Sequence, residues 1–236
     1  MATDPQVVLV TGATGPLGRV VAARFAADGA SLALVGTDEA RLRVMAAEIG
    51  LDPGRWLPVV ADLRDREAAL ATAATVEARF GRIDVLLHLV GGWAGGTAVV
   101  DLDPDDVRRM LDQHLWTTLN IVAAVVPGMT ARRFGRVLAV SSPLASNPGP
   151  RGAAYAIAKA AAEVVLRSLA RETAGDGVTA NLVVVKAIDA THERETAPTG
   201  RNAGWATPEE IAEAFAYLAS PGAAAVTGQR IALDGR

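Results

Sequence analysis

The chain of 236 residues has no cysteine, only two lysines against 21 arginines, two tyrosines and three histidines. Without thiols there is no disulfide, no thiolate metal site and no cysteine nucleophile, so its chemistry rests on oxygen, nitrogen and backbone groups. No metal site is expected. The net charge is −3 at pH 7, which gives no basic field for binding nucleic acid. No stretch reaches the roughly 18 uninterrupted apolar residues of a membrane span, so no membrane partner is expected. The opening MATDPQVVLVTGATG lacks a basic n-region and its apolar run stops at Thr11; no secretory signal is expected, and the cytoplasm is the expected location. Half the residues are hydrophobic, which excludes a disordered chain and suits one sizeable α/β core.

Against this scarcity, residues 141–159 (SSPLASNPGPRGAAYAIAK) stand out: a serine pair ends an apolar run, a Pro/Gly-rich loop follows, and Tyr155 and Lys159 open an alanine-rich helix. Residues four apart share a helix face, about 6 Å apart along the axis. With two tyrosines and two lysines, an accidental Tyr-x-x-x-Lys has odds of about 2% for independent positions, so the pair carries information. An ammonium beside a phenol favours the phenolate and lowers its pKa from about 10, as a general acid/base requires. The competing reading is a solvated lysine one turn past a packing tyrosine.

The rest of the chain alternates strand-like and helix-like segments. Strands are expected at 6–10, 31–36, 55–61, 83–90, 136–140, 178–185 and 230–233. Helices are expected at 19–30, 41–49, 65–80, 103–126, from Tyr155 to about Thr173, and 207–220. That alternation defines an α/β fold, a doubly wound parallel sheet of about seven strands with helices on both faces, in a single domain spanning the chain. Between the first strand and helix lies TGATGPLG, residues 11–18, the arrangement that seats a pyrophosphate on a helix N-terminus. Gly12 makes the turn, Gly15 lets backbone approach phosphate, and Gly18 lets helix pack on strand. After the second strand, Gly36-Thr37-Asp38 is where an adenosine ribose is met; Asp38 reads equally as a ribose acid and as the N-cap of the next helix. Arg19 and Arg41 are candidate phosphate contacts, so NAD and NADP both stay open. Gly91-Gly92 and Gly95-Gly96 suit the wall of a cofactor cleft.

With the glycine turn, Asp62-Leu63, Ser142, Tyr155-x-x-x-Lys159 and the terminal TPEEIAEAFAYLASPGAAAVTGQRIALDG all in order, essentially the whole chain resembles the short-chain dehydrogenase/reductase family, with its Rossmann-type fold. The resemblance implies hydride transfer between NAD or NADP and a small-molecule carbonyl or alcohol. It makes Tyr155 the general acid/base and gives Lys159 two tasks, lowering the phenol's pKa and holding the nicotinamide ribose. It favours Ser142, 13 positions before Tyr155, over Ser141 as the serine that positions the substrate oxygen. Implied cofactor contacts are Gly12, Thr14, Gly15, Leu17, Gly18, Thr37, Asp38, Asp62, Leu63, Val90 and Gly91, besides Tyr155 and Lys159. Also implied is a homodimer or homotetramer, assembled through 111–126 and 153–169, with Arg236 near an interface.

The departures from the family pattern are specific. Pro16 stands where a glycine is usual, and His88-Leu89-Val90-Gly91 replaces Asn-Asn-Ala-Gly. His114 takes the place of the helix asparagine, either as a proton relay or as a packing residue. Val185-Lys186 replaces Pro-Gly, and the substrate lid at 187–206 is short, with the composition of a polar, mobile flap. Trp93 and Trp205 are candidates to face an apolar or aromatic substrate, with ordinary packing as the alternative. The altered positions leave a second functional reading, a dinucleotide-binding but catalytically weak sensor or scaffold.

Overall fold

A computed structural model describes residues 5–234. The apolar, β-branched runs form β1 (Val7–Thr11), β2 (Ser31–Gly36), β3 (Trp56–Val60), β4 (Val85–His88), β5 (Gly135–Ser141), β6 (Val178–Val185) and β7 (Arg230–Leu233). They hydrogen-bond into one parallel sheet in the order β3-β2-β1-β4-β5-β6-β7. Helices are α1 (Pro16–Ala27), α2 (Glu39–Glu48), α3 (Arg66–Phe80), α4 (Pro104–Leu111), α5 (Thr117–Ala131), α6 (Ala153–Glu172), α7 (Glu193–Thr196) and α8 (Pro208–Ala219).

A strand covered on both faces must be apolar at every position, and β1 shows why. Val8 and Val10 pack with Leu17, Val21 and Phe25 of α1 and Phe215 of α8, while Val7 and Leu9 pack with residues of α3, α5 and α6 on the other face. The order reverses at β1, between β2 and β4. In such sheets the crevice for a ligand opens at that point, beyond the carboxyl ends of the strands. No described helix is long and apolar enough to cross a membrane.

Local chemistry sets the helix starts. Asp65 and Asp103 accept backbone N–H groups at the heads of α3 and α4, and Thr207 and Glu210 form a capping box on α8 with Pro208 beside it. Asp38 is the N-cap of α2, its carboxylate accepting from the Arg41 N–H.

Two expectations are sharpened. The helix expected at 103–126 forms and runs on to Ala131, with a single π-turn at Asp112–Trp116, His114 at its centre, between its α4 and α5 segments. One residue is added to that turn, which re-aims the side chains around it. The second concerns 187–206, which is polar but spends its polarity on itself and on α8. Buried Asp189 accepts from the N–H groups of Glu193 and Arg194. The Arg194 guanidinium donates to the Trp205 carbonyl at 2.6 Å and to Glu210 at 2.7 and 3.1 Å. Asn202 donates to the Ala197 carbonyl at 3.0 Å, and Ile188 bridges to Ala206.

Arg194→Ala removes the guanidinium tie to α8 and leaves the His192–Glu209 contact at 3.1 Å. Amide hydrogen exchange in 190–204 is expected to accelerate while α6 keeps its protection; equal exchange in both proteins would show that Arg194 does not hold the segment.

Candidate active site

The cleft begins with two close approaches at the end of β1. Gly12 has a left-handed φ of 67°, and a Cβ there would lie 2.9 Å from the Leu89 carbonyl carbon. At Gly18 a Cβ would lie 2.5 Å from the Ala13 oxygen and 2.6 Å from the Gly12 oxygen, so α1 packs directly on the turn. Gly15 is the N-cap of α1 and Pro16 follows at N1. A proline fits N1 because that amide has no partner inside the helix. The amino end of α1 is thereby turned into the crevice, where partial positive charge and backbone N–H groups suit a phosphate.

The cavity at this point is about 550 Å³. It gathers Gly12, Gly15, Leu17, Gly18, Val90, Gly91, His114, Ser142, Tyr155 and Lys159 from the residues singled out in the sequence. Thr14, Thr37, Asp38, Asp62 and Leu63 do not line it. Asp62 follows β3 and pairs with Arg64 at 2.5 Å, which holds its carboxyl below the usual carboxylate range. Leu63 is buried, and its carbonyl accepts from Asn120 at 3.0 Å. Trp93 lines the cavity and Trp205 does not. Arg19 is paired with Glu48 at 2.7 Å, and Arg236 lies outside the described residues.

β5 delivers Ser141 and Ser142 to the floor of the cavity, and the first turns of α6 bring Tyr155 and Lys159 over them. Ser142 is buried, and its side chain lies close enough to the Tyr155 phenol to favour the phenol's ionised form. Burial raises the phenol above its ordinary value, and the Ser142 contact offsets part of that rise. The expected lowering by Lys159 is not the dominant effect. Its Nζ donates to the Val140 carbonyl at 2.9 Å and lies 5.9 Å from the Tyr155 ring centre, while exclusion of water acts on the phenol directly. Burial also pushes Lys159 itself down to about 8, against the pull of the Glu163 carboxylate. Edge-on rings of Trp93, at 4.8 Å, and His114, at 5.4 Å, flank Tyr155.

Both cleft histidines are neutral at pH 7. Burial and the neighbouring Lys159 charge hold His88 at about 3, with a smaller push from His114. Burial and Lys159 hold His114 at about 4, although its bond to Gly92 pulls the other way. The His88 tautomer follows from its partners. Thr117 Oγ1 donates to the Gln113 carbonyl at 2.7 Å, so at its 3.3 Å contact with His88 Nε2 the imidazole must be the donor. Thr11 Oγ1 accepts from the Leu89 N–H and donates to His88 Nδ1 at 2.8 Å. His114 Nε2–H donates to the Gly92 carbonyl at 3.0 Å.

Sequence reasoning missed Glu163. It is 4% exposed, accepts from Ser141 Oγ at 2.6 Å and lies 2.8 Å from Arg230 Nε. The signal was present as Tyr155, Lys159 and Glu163, three titratable side chains at intervals of four on one helix stripe otherwise rich in alanine.

A glycine cradle that a Cβ would fill, the amino end of a helix, and a tyrosine and serine sharing a cavity with a buried lysine fit a nicotinamide dinucleotide, the cofactor of an NAD(P)-dependent oxidoreductase. The chain belongs to the short-chain dehydrogenase/reductase family: the family model described as enoyl-(acyl carrier protein) reductase matches residues 12–235. It is 33% identical over 242 residues to a hydroxy(phenyl)methylsuccinyl-CoA dehydrogenase subunit of Thauera aromatica, covering 99% of this chain and 94% of that one. It is 30% identical over 246 residues to the 3-oxoacyl-acyl-carrier-protein reductase of Thermotoga maritima, covering 100% and 98%. Among solved structures, the 3-ketoacyl-(acyl-carrier-protein) reductase of Brucella melitensis complexed with NADH superposes with a TM-score of 0.86 at 27% identity, over 98% of this chain and 97% of that one.

Because the chain has two lysines, ¹³Cε-lysine labelling gives two side-chain signals. Lys159, assigned by its loss in Lys159→Met, is expected to titrate at about 8. A midpoint at the ordinary lysine value would show that its amine is not desolvated.

Proposed function

We propose that the chain transfers hydride between NAD or NADP and a carbonyl or alcohol, with Tyr155 as general acid/base. The observation that carries this reading is that Ser142, Tyr155 and Lys159, the last one turn past Tyr155 on α6, share one cavity with the amino end of α1. When bound, the nicotinamide supplies or accepts the hydride. The raised phenol pKa keeps Tyr155 protonated at neutral pH, which favours donation to a carbonyl oxygen and hence reduction. Ser142 orients that oxygen, and the Lys159 ammonium supports the phenolate that remains and holds the nicotinamide ribose.

In this reading Gly12, Thr14, Gly15, Leu17 and Gly18 surround the pyrophosphate, Val90 and Gly91 form the wall after β4, and Asp62 and Leu63 meet the adenine. Thr37 and Asp38 sit at the adenosine ribose. Asp38 caps α2 through one carboxylate oxygen and Thr37 is uncharged, and the choice between NAD and NADP stays open at this corner. His114, neutral and bound to Gly92, acts as a clamp on the loop after β4 and not as an imidazolium relay. Residues 187–206 serve as a short lid, from which Ala187, Ile188 and Ala190 reach the cavity. With Trp93 and Leu144 they favour a substrate with an apolar body. Exposed Trp116, Ile157 and Val164, on the π-turn and on α6, support self-association through these helices.

The test is turnover of NADH and NADPH with a panel of ketones and 3-ketoacyl thioesters, repeated with Tyr155→Phe. The variant is expected to lose about 10²–10⁴-fold in kcat while calorimetry shows dinucleotide binding unchanged. Wild-type turnover no higher than the variant's on every substrate would overturn the reading.

A further inference from the structure

Adjoining the active-site cavity, and sharing His88, His114, Ser141 and Lys159 with it, lies a second, inner cavity with about 10 Å³ for a water centre, about what one molecule needs. His88, His114, Ser141, Lys159 and Glu163 line it. Both histidines are neutral there, which leaves Glu163 as the one carboxylate among the described lining residues. Glu163 also lines an outer groove, with Ser146, Arg167, Gln229 and Arg230, whose polar groups give water hydrogen-bonding partners. One side chain thus forms the partition between the inner cavity and the outer groove.

We infer that Glu163 carries protons between the outer groove and Lys159, through a water in the inner cavity, and so resupplies the acid/base of the reaction proposed above. This rests on that reading. Each reduction takes one proton from Tyr155 into the product alcohol, and the phenolate must recover it from solvent. The open path runs along α6. Tyr155 regains its proton at the expense of the Lys159 ammonium, which becomes an amine; the Glu163 carboxylate takes a proton from the groove and passes it to the cavity water, which hands one on to the amine, and Glu163 is again a carboxylate. No electrons move in these steps, and one proton enters for each one consumed. The groups facing Glu163 are Ser141 on β5, Arg230 on β7, Lys159 and Arg167 on its own helix, and the two neutral histidines across the cavity. Arg230 Nε is close to Glu163 but lacks a directed hydrogen bond, so the carboxylate is not locked by it.

The experiment is Glu163→Gln, which keeps the shape and an acceptor for Ser141 but carries no proton. With a carbonyl that the wild type reduces, kcat is expected to fall roughly tenfold with an increased solvent deuterium isotope effect and no change in KM for the dinucleotide. In Arg230→Gln, which removes the ion pair and leaves the carboxylate, any loss of rate is expected to come without that increase. An unchanged rate and isotope effect in Glu163→Gln, or the same increase in Arg230→Gln, would overturn the inference. If Glu163→Gln does not fold, a proton inventory of the wild type decides. A bowed dependence of rate on deuterium fraction supports a chain of several protons, and a straight line opposes it. If no substrate is turned over, the reaction itself has failed, and ¹³Cε-lysine spectra still test the contact. The Lys159 midpoint is expected to drop in Glu163→Gln, and an unshifted midpoint would overturn the link.

Discussion

Lys159 is an ammonium held out of water, and much of the site is arranged around that cost. Burying a lone charge is expensive unless its donors find acceptors and an opposite charge lies near. The lysine meets the first need through the Val140 carbonyl, one residue before the serine pair on β5, and the second through Glu163 one turn further along α6. These contacts fix α6 against the end of β5. The same docking sets Tyr155 over Ser142, because a helix that carries Lys159 to Val140 also carries the residue four positions earlier to the cavity. The alignment of the acid/base with its serine is thus a consequence of satisfying one buried amine.

The departures from the family pattern are easier to understand in the field of that amine. A positive charge nearby, added to burial, keeps His88 and His114 from protonating. A neutral imidazole has one donor and one acceptor, which approximates the hydrogen-bonding range of the asparagines the family places at these positions. His88 uses both, accepting from Thr11 and donating to Thr117, and so ties β1 and β4 to the head of α5. His114 gives its donor to Gly92 and packs so closely on Gly91 that a Cβ there would lie 2.6 Å from its Cε1. The π-turn at Asp112–Trp116 widens the helix at the residue that makes this contact.

What could be read in the sequence was what depends on near neighbours. β2, β6 and β7 begin and end where their apolar runs do, the capping box at Thr207 and Glu210 forms as spaced, and Tyr155 and Lys159 share a helix face because they are one turn apart. Hidden features depend on partners far along the chain. The π-turn coincides with His114 meeting Gly92, 22 residues earlier, and Glu163 bonds Ser141 across the same separation. Periodicity carries no information about such pairings. The polarity of 187–206 was evident, but polarity alone does not say whether the partners are water or α8; Arg194 and Asp189 decide that by reaching Glu210 and the α7 amides. The direction of the phenol's shift depends on a related feature. Proximity to a lysine along a helix is visible in sequence, whereas the depth at which both groups are buried is not.

Arg230 shows how the edge of the sheet enters the site. β7 is a short edge strand, and its first residue lies 2.8 Å from Glu163 while donating to the Ser142 carbonyl at 3.4 Å. Buried ion pairs add little net stability, because desolvation of both partners offsets their attraction, so stability alone is a weak reason for this one. Its geometric effect is larger. Glu163 holds the Ser141 hydroxyl and Arg230 holds the Ser142 carbonyl, so the pair pins two successive residues at the end of β5 from opposite sides. With Ser141 committed to Glu163, Ser142 is left as the serine that meets the phenol. The division of labour between two adjacent serines is therefore set by a carboxylate that holds one of them and a neighbouring guanidinium that holds the backbone of the other.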